Sequence, residues 1–486
     1  MWQGTFGPVA NVPVGSKIDG MEQLTVLDAG FLEAEDSDPH VSLAIGAIAV
    51  LEGPMPAVAE LTATLADRVR AIPRLRQTLR TQRMDLGAPQ WVDDTNFDPA
   101  HHIRHAALPK PGDDATLHRW AADVMERRLD RDRPLWECWL VDGLAGDRWA
   151  ILMKIHHCVA DGVAAARLFD QLCDQLRDEG VRATEVTAGD RPARAPRGID
   201  VGAWLGGAWR TSLGLPTAAM QAVHGAIDIA TGLLRPAAPS SLTGSVTSMR
   251  RYATAEVPMG DVTTVCRAFD VTMNDVALAA ITDSFRATLL RRGEKPHRHA
   301  LRTLVPVSVR PDDARDATDN RVSVMLPYLP VDKADPVQQL LAVHSRLARA
   351  KSSGQRQAGN ILVSAANVIP FPLTAWTVRA LTRLPQRGVV TVATNVPGPR
   401  KPLRIMGCAV VRLLPVPPLA LQLRTGVAII SYADHLVFGV IGDYDAAPDV
   451  DELAAGIERA VARLAEISVG HWRATPMGTL ELVQGG

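Results

Sequence analysis

At 486 residues the chain is longer than a single hydrophobic core usually grows, so two domains or two large halves are expected. An apolar fraction of 47%, a charged fraction of 22% and a formal charge of −1 are ordinary for a globular protein and exclude a basic nucleic-acid footprint or substrate capture by a large net field. Five cysteines, at 138, 158, 173, 266 and 408, follow no regular spacing and fit reduced thiols in a cytosol better than a disulfide frame. The N-terminus lacks the charged-then-apolar order of a signal peptide. No stretch of about eighteen residues is apolar enough to span a bilayer; the nearest, 201–234, carries Arg210, Pro216, His224 and Asp228.

In chain order, Val41–Leu51 reads as a strand and Pro56–Val69 as a helix with Val58, Leu61, Leu65 and Val69 on one face. The basic run RLRQTLRTQR after Pro73 reads as a solvated segment. Asp98–His105 holds three histidines within five residues, which invites a zinc reading. Ile103 between polar neighbours suggests an edge strand instead, without the fixed ligand geometry that zinc needs. Thr116–Leu129 fits a helix that ends before Arg133-Pro134-Leu135-Trp136, because proline bars its continuation. Glu137–Val141 is then a strand, connected through Asp142-Gly143 to a neighbouring strand at Trp149–Ile155.

That last strand opens the most informative stretch, WAILMKIHHCVADG, an apolar run interrupted only by Lys154 and expected to be covered on both faces. Successive side chains of an extended segment point to opposite faces, so His156 and His157 cannot both reach one reacting atom without a sharp bend, and one of them should be structural. Asp161 and Gly162 follow at a turn, and Ala165, Leu168, Phe169, Leu172 and Leu176 then recur at helical spacing. A neutral imidazole held between a strand and a helix can act as a general base. The plainer alternative is that the histidine pair satisfies loop hydrogen bonds. A metal site is weaker than either: His156 and Cys158 could share a face, but no CxxC or paired HxxxH completes four ligands.

HHCVADG fits the HHxxxDG signature of the chloramphenicol acetyltransferase-like acyltransferases, and its surroundings resemble the bacterial wax ester synthase/diacylglycerol acyltransferase family. LTVLDAGFLEAE, RPLWECWLVDGL, NDVALA and TNVPGPRKPL agree with it in the expected order, spanning roughly 21–445. The resemblance implies an α/β fold of the α+β type: two chloramphenicol acetyltransferase-like subdomains, each a mixed sheet with helices, joined by a partly helical linker, with the active site between them. The expected division is an extension over 1–20 (Met21 being a candidate natural start), an N-terminal subdomain over 21–180, linker and connecting helices over 181–247, and a C-terminal subdomain over 248–486.

In the second half, residues 248–259 suggest a strand. A helix follows with Leu278, Ile281, Phe285 and Leu289 on one face, Asn274 as its N-cap, Asp275 in its first turn and Gly293 as its stop. Leu301–Val309 reads as a strand, Gln338–Ala350 and Ile361–Thr382 as helical, Val389–Thr394 as a strand ended by a Pro-Gly turn, and Val410–Leu423 as a proline-rich connection. Gly426–Tyr432 and Leu436–Ile441 form a hairpin pair, and Val450–Ile467 is a last helix.

The resemblance implies an acyl-CoA-dependent O-acyltransferase making triacylglycerol from diacylglycerol, wax esters from long-chain alcohols, or both, with no bound cofactor and no metal. His157 would be the general base, His156 and Asp161 would set loop geometry, and Gly162 would permit the turn. Asn274 could contact substrate and Arg310 could pair with Asp161. A cytoplasmic protein with peripheral contact to the inner membrane or lipid droplets is expected. Two rivals remain open: a condensation-type enzyme taking its acyl group from a carrier protein, and a non-catalytic lipid-binding member of the fold.

Overall fold

The computed structural model describes residues 17–18, 21–81, 88–174, 240–308, 322–352, 389–399, 401–419 and 422–474. Most of the expected extension, most of the linker, the helical stretch at 361–382 and Arg310 lie outside the described residues.

The first part of the chain runs β1 (Lys17–Ile18), β2 (Met21–Glu22), α1 (Val26–Ser37), β3 (Ala44–Glu52), α2 (Val58–Arg70), β4 (Gln77–Arg80), β5 (Gln90–Asp93), β6 (Ile103–Ala107), α3 (Asp114–Glu126), β7 (Trp136–Leu144), β8 (Arg148–His156) and α4 (Gly162–Leu172). The second part runs β9 (Arg250–Pro258), α5 (Met259–Phe269), α6 (Met273–Arg291), β10 (Leu301–Ser308), β11 (Val322–Met325), β12 (Tyr328–Leu329), α7 (Pro336–Ser352), β13 (Thr391–Val396), β14 (Arg404–Ile405), β15 (Cys408–Val416), β16 (Thr425–Tyr432), β17 (His435–Asp443) and α8 (Val450–Ala474).

Two mixed sheets organise these elements. The six-stranded sheet has the order β14-β15-β3-β8-β7-β6, antiparallel except for the parallel pair β6 and β7. The seven-stranded sheet follows β11-β10-β13-β16-β17-β9, with β12 also on β10; β10, β13 and β16 run parallel. As expected, β6 is an edge strand and β7 and β8 are neighbours.

The first half of the proline-rich stretch expected as a connection, residues 410–416, belongs to β15, a strand of the first sheet drawn from late in the sequence. Its proline is tolerated because β15 lies near the sheet's margin, with only the two-residue β14 beyond it. Residues of β15 then fasten the two sheets. Arg412 donates from Nη1 to Asp114 of α3 and from Nε to Glu256 of β9, each at 2.8 Å. The Tyr252 hydroxyl of β9 donates to the Pro415 carbonyl at 2.9 Å, and that of Tyr432 to the Val410 carbonyl at 2.8 Å.

The strands of the second sheet read as continuous apolar runs because both faces are covered. Along β16 and β17, Ile430, Tyr432, Val437 and Ile441 pack into the core of the first half, whereas Val427, Ile429, Leu436, Phe438 and Val440 pack against the helices of the second. The same holds for β8, where every residue after Arg148 is buried, Lys154 included. The Lys154 ammonium caps the C-terminal end of α3, donating to the Val124 carbonyl at 2.7 Å and to that of Arg127. Burial pushes its pKa down to about 8.

Candidate active site

β8 carries extended backbone as far as His156, where the Asp161-capped loop takes over. The His156 backbone N–H donates to the Leu135 carbonyl of the Pro-Leu-Trp segment, and the His157 N–H to the Leu43 carbonyl beside β3, each at 3.0 Å. His156 is 1% exposed: its Nδ1 accepts from the Cys158 backbone N–H at 3.1 Å and lies 3.0 Å from Cys158 Sγ, while its Nε2 faces Glu35 Oε2 at 3.5 Å. With Nδ1 accepting, Nε2 is the protonated nitrogen.

His157 instead keeps part of its surface accessible, with Nδ1 on the buried side, and its ring stacks on Phe31 of α1 at 4.1 Å between centroids and 28° between planes. Burial of the ring lowers its pKa to about 4, against opposing contributions from its own backbone and from Asp161, so the imidazole is neutral at physiological pH.

Asp161 is the N-cap of α4: its Oδ1 accepts from the Ala164 N–H at 2.8 Å, and it is 3% exposed. Its expected partner Arg310 lies outside the described residues. Gly162 is the first residue of α4. A Cβ there would stand 2.6 Å from Val396 Cγ2, so glycine is required for close approach of α4 to the end of β13. The Pro-Gly turn that follows β13 also does more than punctuate: a Cβ on Gly398 would stand 1.7 Å from the Ser431 carbonyl oxygen.

Asn274 is not the N-cap of α6. Thr272 is, in a capping box with Asp275: the Thr272 Oγ1 accepts from the Asp275 N–H at 3.3 Å, and Asp275 Oδ2 accepts from the Thr272 N–H at 2.8 Å. Asp275 Oδ2 also lies 2.9 Å from His344 Nδ1. The Asn274 side chain is left half-buried, its Oδ1 accepting from Asn395 Nδ2 of β13 at 3.4 Å. Asn395 and Val396 of one strand thus touch NDVALA and the HHxxxDG helix respectively, drawing three of the sequence motifs together.

Sequence reasoning quoted LTVLDAGFLEAE without assigning roles within it, yet two of its residues belong to the site. Phe31 and Glu35 lie one helical turn apart on α1 and face His157 and His156. Burial alone would raise the Glu35 pKa, but hydrogen bonds and charge from His156, with Arg131 and the Leu43 N–H, hold it at about 2. A carboxylate four residues after an aromatic residue, in a helix with an acidic face, was the available signal. Cys158 is 3% exposed with its thiol pKa pushed far up by burial, so it packs as a small hydrophobe.

The three histidines of DPAHHIRH go separate ways. His101 faces Asp98 at 3.5 Å, His102 lies buried with Nδ1 at 2.9 Å from the Trp136 carbonyl, and His105 pairs with Asp142 at 2.9 Å. No group of three or more candidate metal ligands occurs among the described residues, and no described helix is long and apolar enough to cross a membrane.

The wax ester synthase/diacylglycerol acyltransferase catalytic domain matches residues 24–277, and that family's C-terminal domain matches 318–465. The chain is 54% identical over 467 residues to a probable diacylglycerol O-acyltransferase of Mycobacterium tuberculosis, covering 95% of this chain and 100% of the relative. It is 29% identical to the O-acyltransferase WSD of Acinetobacter baylyi, over 76% of this chain and 82% of that one. Among solved structures it resembles the wax ester synthase/diacylglycerol acyltransferase from Marinobacter aquaeolei VT8, with a TM-score of 0.65, 26% identity and coverage of 92% and 100%. The first condensation domain of the calcium-dependent antibiotic synthetase shares the fold at 18% identity, with a TM-score of 0.59 and coverage of 92% and 96%. The chain belongs to the wax ester synthase/diacylglycerol acyltransferase family of O-acyltransferases.

Proposed function

We propose that the protein transfers a long-chain acyl group from acyl-CoA to diacylglycerol, to a long-chain alcohol, or to both, with His157 as the general base. The relatives named for diacylglycerol acyl transfer and wax ester synthesis supply the acceptor classes. The observation that carries the role of His157 is its contrast in exposure with His156: His156 is 1% exposed, with Nδ1 accepting from its own loop and Nε2 facing Glu35 at 3.5 Å, whereas His157 keeps an accessible edge and a neutral ring.

With Nδ1 on the buried side, Nε2 is the nitrogen left to meet substrate. It takes the proton of the acceptor hydroxyl as the oxygen attacks the thioester carbonyl. The tetrahedral intermediate then collapses, the C–S bond breaks, and the proton passes from the imidazolium to the departing thiolate, leaving ester and free CoA. Burial makes the isolated imidazolium unfavourable, and the oxyanion that forms beside it offsets that cost. The chain's own Asp161, Gly162 and Val396 hold the loop, and no metal or resident cofactor takes part. Water-insoluble products favour work at the surface of the inner membrane or a lipid droplet.

The test is product analysis with a panel of acyl-CoAs, acyl-carrier donors, diacylglycerol and long-chain alcohols, for the wild type and His157→Ala. Ester formation from acyl-CoA that disappears in the variant is the expected result. Turnover only with a carrier-bound donor would make it a condensation-type enzyme, and tight lipid binding without turnover would make it a binding protein of the same fold.

A further inference from the structure

Helix α1 lies outside the HHxxxDG loop, yet three restraints run from its inner face to residue 157. Glu35, 1% exposed, accepts from the Leu43 N–H at 3.0 Å, and the carbonyl of the same Leu43 accepts the His157 N–H at 3.0 Å. The second Glu35 oxygen faces the neighbouring imidazole at 3.5 Å from His156 Nε2. One turn earlier, Phe31 stacks on the His157 ring itself. Arg131, from the loop before the Pro-Leu-Trp segment, locks the carboxylate by donating to Glu35 Oε2 at 2.8 Å and to Asp36 at 2.8 Å. We propose that Glu35 and Phe31 are positioning residues for the acyl-transfer reaction, setting the backbone and the ring plane of His157 from one face of α1.

The chemistry of the Glu35 pocket makes this specific to a carboxylate. Each neighbour is a donor: the Leu43 N–H, the Arg131 guanidinium and the protonated Nε2 of His156. An amide of the same shape must turn its NH2 against one of them, which displaces either the Leu43 peptide or the His156 ring. Displacement of a reacting group by about 1 Å costs on the order of 100-fold in rate. Neither residue touches substrate in this account, so the loss should appear in kcat and spare KM.

This proposal rests on His157 being the base, and the experiment separates the two. Steady-state kinetics with acyl-CoA and each acceptor class would be measured on the full chain for Glu35→Gln, Glu35→Asp, Phe31→Leu and His157→Ala, with far-UV circular dichroism confirming that each is folded. Glu35→Gln is expected to lose about 10- to 100-fold in kcat with KM for both substrates within about twofold, Glu35→Asp to recover part of that loss, and Phe31→Leu to lose about tenfold. If Glu35→Gln does not fold, Phe31→Leu decides: a lower kcat at constant KM supports the proposal, and an unchanged kcat overturns it. Full kcat in folded Glu35→Gln, or a loss confined to KM, also overturns it while leaving the His157 reading intact whenever His157→Ala is inactive. An active His157→Ala sinks both.

Discussion

The two halves of the molecule bring segments of opposite character to their junction. On the first half, the HHxxxDG loop spends nearly every polar group on its own geometry: Asp161 caps α4, His156 binds the loop backbone and faces Glu35, and Glu35 is held by Arg131 and the Leu43 peptide. On the second half, Thr272 and Asp275 cap α6 between themselves, and among the described residues the Asn274 amide has a long contact to Asn395 at 3.4 Å. The contrast suggests where chemistry and recognition reside. On the proposed reading His157 must be held rigidly as a base, and the buried polar groups of the first half serve that; the second contributes side chains that can still adapt to a ligand.

Removing the base breaks the comparison most directly. His157→Ala should lose on the order of 10²- to 10⁴-fold in turnover, the usual worth of a positioned base, with the fold intact. The pH dependence sharpens it: since burial lowers the His157 pKa to about 4, kcat/KM should fall as pH drops through about 4 and not through the ordinary 6.5. Deprotonated imidazole is the active form, so activity is present above that limb and lost below it. A limb near the ordinary value would mean a more solvated ring than the structure has.

The Glu35 carboxylate offers the next largest effect, on stability. Its folded pKa of about 2 lies below the ordinary 4.5, so its stabilisation is complete above 4.5 and lost as pH falls through about 2. The pK difference corresponds to roughly 3 kcal/mol, an order-of-magnitude figure shared with His156 and Arg131. Urea unfolding at pH 7 and at about pH 3 should show this part of the acid loss in the wild type and its absence in Glu35→Gln. Equal acid sensitivity of the two proteins would mean that the pair contributes nothing.

Gly162→Ala tests how closely the halves must approach. The added Cβ meets Val396 Cγ2 at 2.6 Å, and a β-branched side chain cannot swing aside cheaply, so overpacking of about 1–3 kcal/mol is expected. Thermal unfolding would measure it. An unchanged melting temperature would show that α4 and β13 can separate freely.

Much of this was legible beforehand because local periodicity and burial agree. β7, β8, α6 and the β16–β17 hairpin are apolar runs of the right length between turn residues, and they appear where the pattern places them. The failures have long-range causes. β15 carries proline and looks like a connection, since its pairing partner β3 comes from a stretch more than 350 residues earlier in the chain, about 3.6 Å of possible separation per residue, and no local signal reports such a partner. α5, which went unread, has only Val262 and Val265 buried, too short an apolar stripe to stand out. Asn274 was assigned as the N-cap because Asn is a good one, but Thr272 two residues earlier has the complete capping box. The roles of Phe31 and Glu35 depend on which residues face them across the fold, and composition alone does not carry that.

The smallest expected effect is also the one that most cleanly divides recognition from scaffolding. If Thr272 and Asp275 cap α6, then Asn274→Ala removes no cap, and alanine is the better helix former within the first turn. Stability should then change by less than about 0.5 kcal/mol, whereas Thr272→Ala should lose about 1 kcal/mol. In kinetics, loss of the Asn274 amide should raise KM for one of the two substrates a few-fold, about 1 kcal/mol of a single hydrogen bond, and leave kcat nearly unchanged. Thermal melts of both variants, beside KM for acyl-CoA and for acceptor, would decide it: a destabilised Asn274→Ala with unaltered KM would return that residue to the helix scaffold and remove recognition from this part of the second half.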